Sequence, residues 1–392
     1  MKLIDICEFI VDCPHSTAVD AGVGYPLIRT PNIGKGRFLL DGVHRVGETA
    51  YNARNARAVP QDHDLILARE APAGNIAIIK NGLKVCLGQR TVLIRPNKDK
   101  VVPDFLLYYL LAPQQQHNLL RAANGATVSH VNMPIIRNLD ITLPDITEQD
   151  KIASILSAYD DLIENNRRRI RLLEESARHL YEEWFARFRF PGHERVRIVD
   201  GVPEGWERKK LGALCSEIKD RILPQQITNK IPYIGLEHIP RRSITLNTWG
   251  KAEDVSSTKH IFKKNDILFG KIRPYFHKVG VAFIDGLTSA DTIVLRPKTV
   301  ELLPLVLLAS SSDKFVASTS KSVKEGSKMP RADWNVMQTH PVFIPLKSVT
   351  IQFNEFIFSV LNQLGMLSFA IQKLQISRDL LLPKLMSGEV AA

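Results

Sequence analysis

The sequence predicts an α+β fold: two pseudo-symmetric mixed α/β domains separated by two long helices that form an antiparallel coiled coil. Three observations predict it. The two halves of the 392-residue chain match at a nearly constant offset. Each globular half is a series of short β-branched runs punctuated by turn residues. Each half ends in a long segment whose apolar residues recur at alternating steps of three and four.

The repeat comes first, because it decides how everything else is read. Asp64-Leu65-Ile66-Leu67 matches Asp266-Ile267-Leu268-Phe269, and Thr91 to Pro96 matches Thr292 to Pro297. Ile141-Thr142-Leu143-Pro144 matches Val342-Phe343-Ile344-Pro345. Pro96 and Pro297 are 201 positions apart, as are Pro144 and Pro345. Ile76 to Ile79, Thr91 to Ile94, Ile267 to Phe269 and Thr292 to Leu295 are β-branched runs bounded by Gly, Pro, Asn or Asp, and they read as strands. Phe105 to Leu111 and the counterpart after Pro304 read as buried helices.

After Pro144 no Gly or Pro appears until Pro191, and Thr147 is the expected N-cap ahead of Glu148 and Asp150. The seam then runs Leu156, Tyr159, Ile163, Asn166, Ile170, Leu173, Ala177, Leu180, Trp184. In the second copy it runs Ile357, Val360, Leu364, Leu367, Ile371, Leu374, Arg378, Leu381, Leu385. Each position lies 201 after its counterpart, so two heptad seams share one register. Asn166 and Arg378 are polar insertions of the kind that fix register. Connectivity favours an antiparallel pair, since the second helix starts where the domain fed by the first one ends. The boundaries are a first domain at 1–147, a central helix at 148–190, a second domain at 191–346 and a closing helix at 347–392. Leu156 to Trp184 spans about 42 Å at 1.5 Å per residue, close to one turn of B-DNA.

Composition bounds the function. The net charge of +11 favours a polyanionic partner, most often nucleic acid. The four cysteines (Cys7, Cys13, Cys86 and Cys215) form no C-x-x-C pair and read as reduced thiols, so no metal is expected. Lys2, Asp5 and Glu8 interrupt any signal-peptide core, and the apolar runs are too short to span a bilayer. A cytoplasmic location is the expectation.

The chain resembles the specificity subunits of type I restriction-modification systems along essentially its whole length. The resemblance is carried by Val11-Asp12-Cys13-Pro14-His15-Ser16-Thr17, Ile28 to Ile33, Leu143-Pro144 with Glu148-Gln149, Glu183-Trp184-Phe185, Pro203-Glu204-Gly205-Trp206 with Lys210-Leu211-Gly212, and Leu382 to Glu389. It implies two target-recognition domains, each reading half of a bipartite, asymmetric DNA sequence. It implies helices that separate the half-sites and dock two methyltransferase subunits, with restriction subunits joining them. S-adenosylmethionine, ATP and Mg²⁺ would serve those partners, and no cofactor is expected on this chain. The first domain has almost no lead-in before Leu3, unlike the fuller Trp206 entry of the second.

Two other classes stay open at this point: a stand-alone DNA methyltransferase or nuclease, and a coiled-coil scaffold without a DNA role. Against an enzyme, no phosphate-binding G-x-x-x-x-G-K loop, Asn-Pro-Pro-Tyr motif or H-E-x-x-H motif occurs, and no catalytic residue is expected. Asp62, Asp64 and Glu70 could be taken for a carboxylate cluster, but Asp64 recurs as Asp266 ahead of a strand, which reads as a turn.

For a DNA partner, cations and amides near turns are the candidates. In the first half they are Arg29, Thr30, Asn32, Lys35, Arg37, Arg69, Gln89 and Arg90. In the second they are Glu237, His238, Lys271, Arg273, Tyr275, His277 and Lys278. Arg167, Arg168, Arg169 and Arg171, flanked by Glu174 and Glu175, read as an exposed helix face.

Overall fold

The computed structural model describes residues 1–121, 130–227, 231–252, 257–321 and 330–392. It divides into two compact units, 1–161 with 375–392 and 162–374. The division falls inside both long helices, Ile146–Tyr181 and Lys347–Ser387, so each unit takes in part of both.

Unit 1 is built on a four-stranded antiparallel sheet in the order Cys7–Asp12, Thr91–Pro96, Leu65–Ala68, Ile76–Ile78. A second, three-stranded sheet places Tyr25–Ile28 between Arg45–Val46 and Cys86–Leu87, the latter pairing parallel. The strands Leu65–Ala68 and Ile76–Ile78 are fully buried, which is why they carry no alternation of polar residues. The apolar helix Pro103–Leu111 joins Ile94 and Leu67 in the core.

Unit 2 repeats the four-stranded sheet in the same order: Cys215–Ile218, Thr292–Pro297, Ile267–Gly270, Val279–Val281. The register repeats too, with Leu65 opposite Ile94 and Ile267 opposite Leu295. The second sheet has grown to five strands, adding Arg221–Ile222 and Lys259–Phe262, while its parallel pair, Pro232–Ile234 with Gly286–Thr288, is kept.

The Asp64 turn is structural in both copies. Asp64 is 2% exposed, accepts from the Gln61 N–H at 2.9 Å and takes both sides of the Arg95 fork at 2.8 and 2.7 Å. Asp266 accepts from the Lys263 N–H at 2.8 Å and from Arg296 at 2.7 and 2.6 Å. Each bidentate pair ties the entry of one strand to its neighbour.

The long helices run antiparallel within each unit. In unit 1 the first turns of the central helix, at Ile152, Ala153 and Leu156, share a core with Leu381 and Leu385 near the end of the closing helix. In unit 2 Ile163, Ile170 and Ala177 share a core with Ile357, Val360, Leu364, Leu367 and Ile371, and the Trp184 and Phe353 rings lie 5.9 Å apart. Leu173, Leu180 and Leu374 pack on that cluster, while Tyr159 and Asn166 are half-buried. The polar Arg378 pairs in unit 1 with Asp160, whose other oxygen accepts from the Tyr108 hydroxyl at 2.8 Å. Burial, with the Asp160 charge second, pushes the Tyr108 phenol far up, so it remains a donor.

Two expectations need correction. The helix opens ahead of Thr147: the Asp145 carboxylate accepts from the Glu148 N–H at 2.9 Å and is the cap, because an N-cap side chain reaches the free N–H three residues on. Glu174 is not on an exposed face. It is 4% exposed, and one oxygen accepts from Ser243 Oγ at 2.6 Å, Thr245 N–H at 2.9 Å and Thr245 Oγ1 at 2.5 Å. The arginines beside it do lie on a charged face, with Arg171 3.5 Å and Arg167 4.0 Å from Glu164.

The Trp206 motif closes unit 2. Gly205 has φ +82°, and a Cβ there would meet the Leu346 side chain at 2.8 Å. Trp206 is thereby set against Phe185 and Phe190, at 5.5 and 4.9 Å.

Candidate nucleic-acid interface

In unit 1 three strand ends converge at one edge of the sheet. Asp12 ends its strand opposite Val92, and Ala68 ends its strand opposite Thr91. The backbone frame is completed by Arg69 N–H to Arg90 O at 2.9 Å and Val131 N–H to Arg69 O at 3.0 Å.

The side chains on this frame are largely paired. Arg69 is 7% exposed, with Nη1 on Asp12 Oδ2 at 2.7 Å, Nε on Val131 O at 2.9 Å and Nη2 2.8 Å from His130 Nε2. His130 Nδ1 lies 2.5 Å from Glu70 Oε1, and Arg90 pairs with the other oxygen of Glu70. Gln89 donates to His15 O and Thr17 Oγ1, both at 3.2 Å. Arg29 is brought to the same place, since a Cβ on Gly88 would meet its Cγ at 2.7 Å. Arg69 is thus an internal strut, while Gln89 and Arg90 are exposed and Arg29 is half-buried.

The rest of the first-half candidates divide differently. Thr30–Asn32 is a short 3-10 turn, and both Thr30 and Asn32 are buried. Asn32 accepts from Arg29 N–H and donates to Leu39 O, each at 3.2 Å, so it holds the turn. Lys35 is exposed and Arg37 half-buried; they flank Gly36, which lies against Asp160 of the central helix.

Unit 2 reproduces the frame. Lys271 N–H donates to Asp291 O at 2.8 Å, and Ala332 N–H donates to Lys271 O at 2.8 Å. Lys271 therefore stands where Arg69 stands, Asp291 where Arg90 stands and Arg331 where His130 stands. Arg331 pairs with Asp291 at 3.3 Å. The frame is shared, and the charges on it differ.

Beyond it, Arg273 takes a left-handed conformation (φ 49°) and donates its N–H to Pro330 O at 2.8 Å, leading into the turn Pro274–Phe276. Arg241 lies 4.0 Å and Arg273 5.8 Å from the Phe276 ring centroid, and Tyr275, 55% exposed, meets that ring at 4.9 Å. This exposed basic-aromatic group is suited to holding phosphates and stacking on bases.

His277 and Lys278 are turned inward. His277 is 7% exposed, with Nε2 2.8 Å from Ser311 O and Nδ1 3.3 Å from Asp313, and burial holds its pKa below the ordinary value. Lys278 Nζ donates to Leu236 O. His238 Nδ1 accepts from Gly235 N–H at 3.0 Å, and the neighbouring Glu237 is exposed.

Sequence reasoning misses His130, Arg331 and Arg241. The constant offset pairs His130 with Arg331, and that is the signal available for those two. Arg241 has none, because its ring partner is 35 residues away.

None of the thiols takes part. Burial pushes Cys7 and Cys215 up to about 12 and Cys86 up to about 11. No helix among the described residues is long and apolar enough to cross a membrane.

Residues 1–175 match the family model described as the type I restriction modification DNA specificity domain. The chain is 25% identical over 371 residues to the type I restriction enzyme MjaIX specificity subunit of Methanocaldococcus jannaschii, covering 90% of this chain and 83% of that one. It is 24% identical over 257 residues to the EcoDI specificity subunit of Escherichia coli, 57% of this chain and 55% of that one. In fold it is similar to the type I restriction-modification S subunit of M. genitalium, with a TM-score of 0.56 at 17% identity over 98% of this chain and 95% of that one.

Proposed function

We propose that the chain is a specificity subunit of the type I restriction-modification kind, as the match of residues 1–175 and the similarity along 90% of the chain support, and that it reads a bipartite, asymmetric DNA target, one half with each unit. One observation carries the reading: the two units share a sheet order and a hydrogen-bonded frame, but carry Arg90 and His130 on one and Asp291 and Arg331 at the matching places of the other. A common frame keeps the docking geometry, and different donors and acceptors select different bases. The chain itself performs no chemistry. Methyltransferase subunits, using S-adenosylmethionine, and restriction subunits, using ATP and Mg²⁺, supply it. The helices set the unread gap, and their exposed apolar side chains, Leu162, Leu172 and Met366 in unit 2, favour protein partners there.

The test is a methylation map of DNA from cells carrying the chain with its methyltransferase. Exchanging residues 1–145 for those of a relative should change one half of the modified sequence and leave the other half intact. A change in both halves, or an unsplit motif, would overturn the reading.

A further inference from the structure

Unit 2 holds a cleft of about 440 Å³ beside the frame just described. Lys219, Arg221, His260, Lys271 and Trp334 line it, together with the carboxylates Glu217 and Asp333. Three of these are cations, and their pairing is incomplete. Lys219 is held by Glu217 at 3.0 Å. The Arg221 guanidinium and the Lys271 ammonium make no hydrogen bond or ion pair among the described residues. Asp333 caps the helix Trp334–Met337 through the Asn335 N–H at 2.9 Å and makes no ion pair with Arg221 or Lys271.

Comparison with unit 1 shows why these charges are left over. Val11 pairs with Leu93 and Ile218 pairs with Val294, so the next residue, Lys219, occupies the place of Asp12. In unit 1 Asp12 neutralises Arg69 at 2.7 Å, and Arg69 is consequently buried. In unit 2 both places hold lysine, and Arg221 adds a third cation. Like charges gathered in a half-enclosed space repel unless an anion joins them.

The cleft wall also carries an orphan. His260 Nδ1 is buried without a hydrogen-bond partner. Burial, opposed by a Thr292 backbone hydrogen bond and the Glu217 charge and aided by the Arg221 and Lys271 charges, holds its pKa below the ordinary value, so the neutral ring carries one N–H donor at neutral pH. Buried polar atoms are normally satisfied, and this open nitrogen on the wall beside unpaired cations favours an acceptor as occupant of the cleft.

We propose that this cleft seats one backbone phosphate of the DNA strand, held between Lys271 and Arg221 and hydrogen-bonded by His260, with the Trp334 ring beside the attached nucleotide. The proposal rests on the DNA-reading function above. The seat belongs to unit 2 alone, because in unit 1 Asp12 stands in the place of Lys219 and already pairs with Arg69, leaving no free cation at either place. It positions unit 2 on its half-site and reads no base.

The test uses the full chain loaded with its methyltransferase partner and a duplex carrying the mapped target. Affinity is measured against KCl concentration for the wild type, Lys271→Gln, Arg221→Gln and the pair. Each single substitution should weaken binding to target and non-target duplexes alike, by about tenfold at moderate salt. Each should also reduce the slope of log affinity against log salt by about 0.9. Unchanged slopes in variants that melt like the wild type would overturn the seat, while leaving DNA reading intact. A wild type that shows no salt-dependent DNA binding would instead sink the DNA reading, and the seat with it. Inorganic phosphate distinguishes the source of the anion. If millimolar phosphate shifts the His260 ring resonances and the target duplex does not displace it, the site serves a free anion and the proposal fails. Displacement by the duplex supports it.

Discussion

Asp64 and Asp266 are each 2% exposed, and each takes a bidentate arginine at the mouth of a central strand. A carboxylate in that position is useful only while its arginine is present, since breaking a buried pair strands a charge. Asp64→Ala should cost about 3 kcal/mol, the low end for such a pair because Arg95 keeps some contact with water. Urea melts of the variant measure it; a loss below about 1 kcal/mol would mean the pair only decorates the turn. Both aspartates are legible in the sequence, because duplication at a turn exposes a structural role. Arg69 and His277 are not. As cations near turns they read as DNA contacts, yet both are buried by partners far along the chain. Asp12 is 57 residues from Arg69, and Ser311 is 34 from His277. No local pattern encodes such partners.

The long helices are the most legible elements, because a heptad seam is written in consecutive residues and needs no distant information. Ile163, Ile170, Ile357, Leu364 and Ile371 are all buried as the period requires. What the period does not give is the partner of its polar insertion. Arg378 meets Asp160, and Asp160 in turn holds Tyr108 of the sheet-packing helix, so a seam residue is tied to the globular core of unit 1. Arg378→Leu alone should destabilise by about 2 kcal/mol by leaving Asp160 without its cation. Adding Asp160→Asn should recover most of that loss. A double-mutant cycle with coupling below about 0.5 kcal/mol would show the pair to be dispensable. The strands sit between these extremes. Their apolar runs are evident, but the growth of the second sheet from three strands to five comes from Arg221–Ile222 and Lys259–Phe262, whose charged residues hide them from a hydrophobic scan.

At the scale of the whole molecule, neither compact unit ends where its helix begins, and unit 1 is made of two separate stretches of chain. Unit 1 needs residues 375–392: Leu385 is 4% exposed in its core, packed among Phe105, Ile152 and Leu156. Removing residues 375–392 should therefore damage the unit at the opposite end of the sequence. Proteolysis of that truncated chain should attack unit 1 first and leave 162–374 the more protected. Preferential cutting within 162–374 would contradict the division.

The same arrangement imposes an order on birth. A ribosome makes residues 1–161 first, but the side chains that finish their core are translated after all of unit 2. The amino-terminal unit must wait, with Leu156 and its neighbours unsealed, for more than half of the chain to be made. Unit 2, whose residues form one continuous stretch, can close earlier. The half of the protein synthesised first is thus the half completed last, and during that interval its open core is the surface on which a chaperone would act.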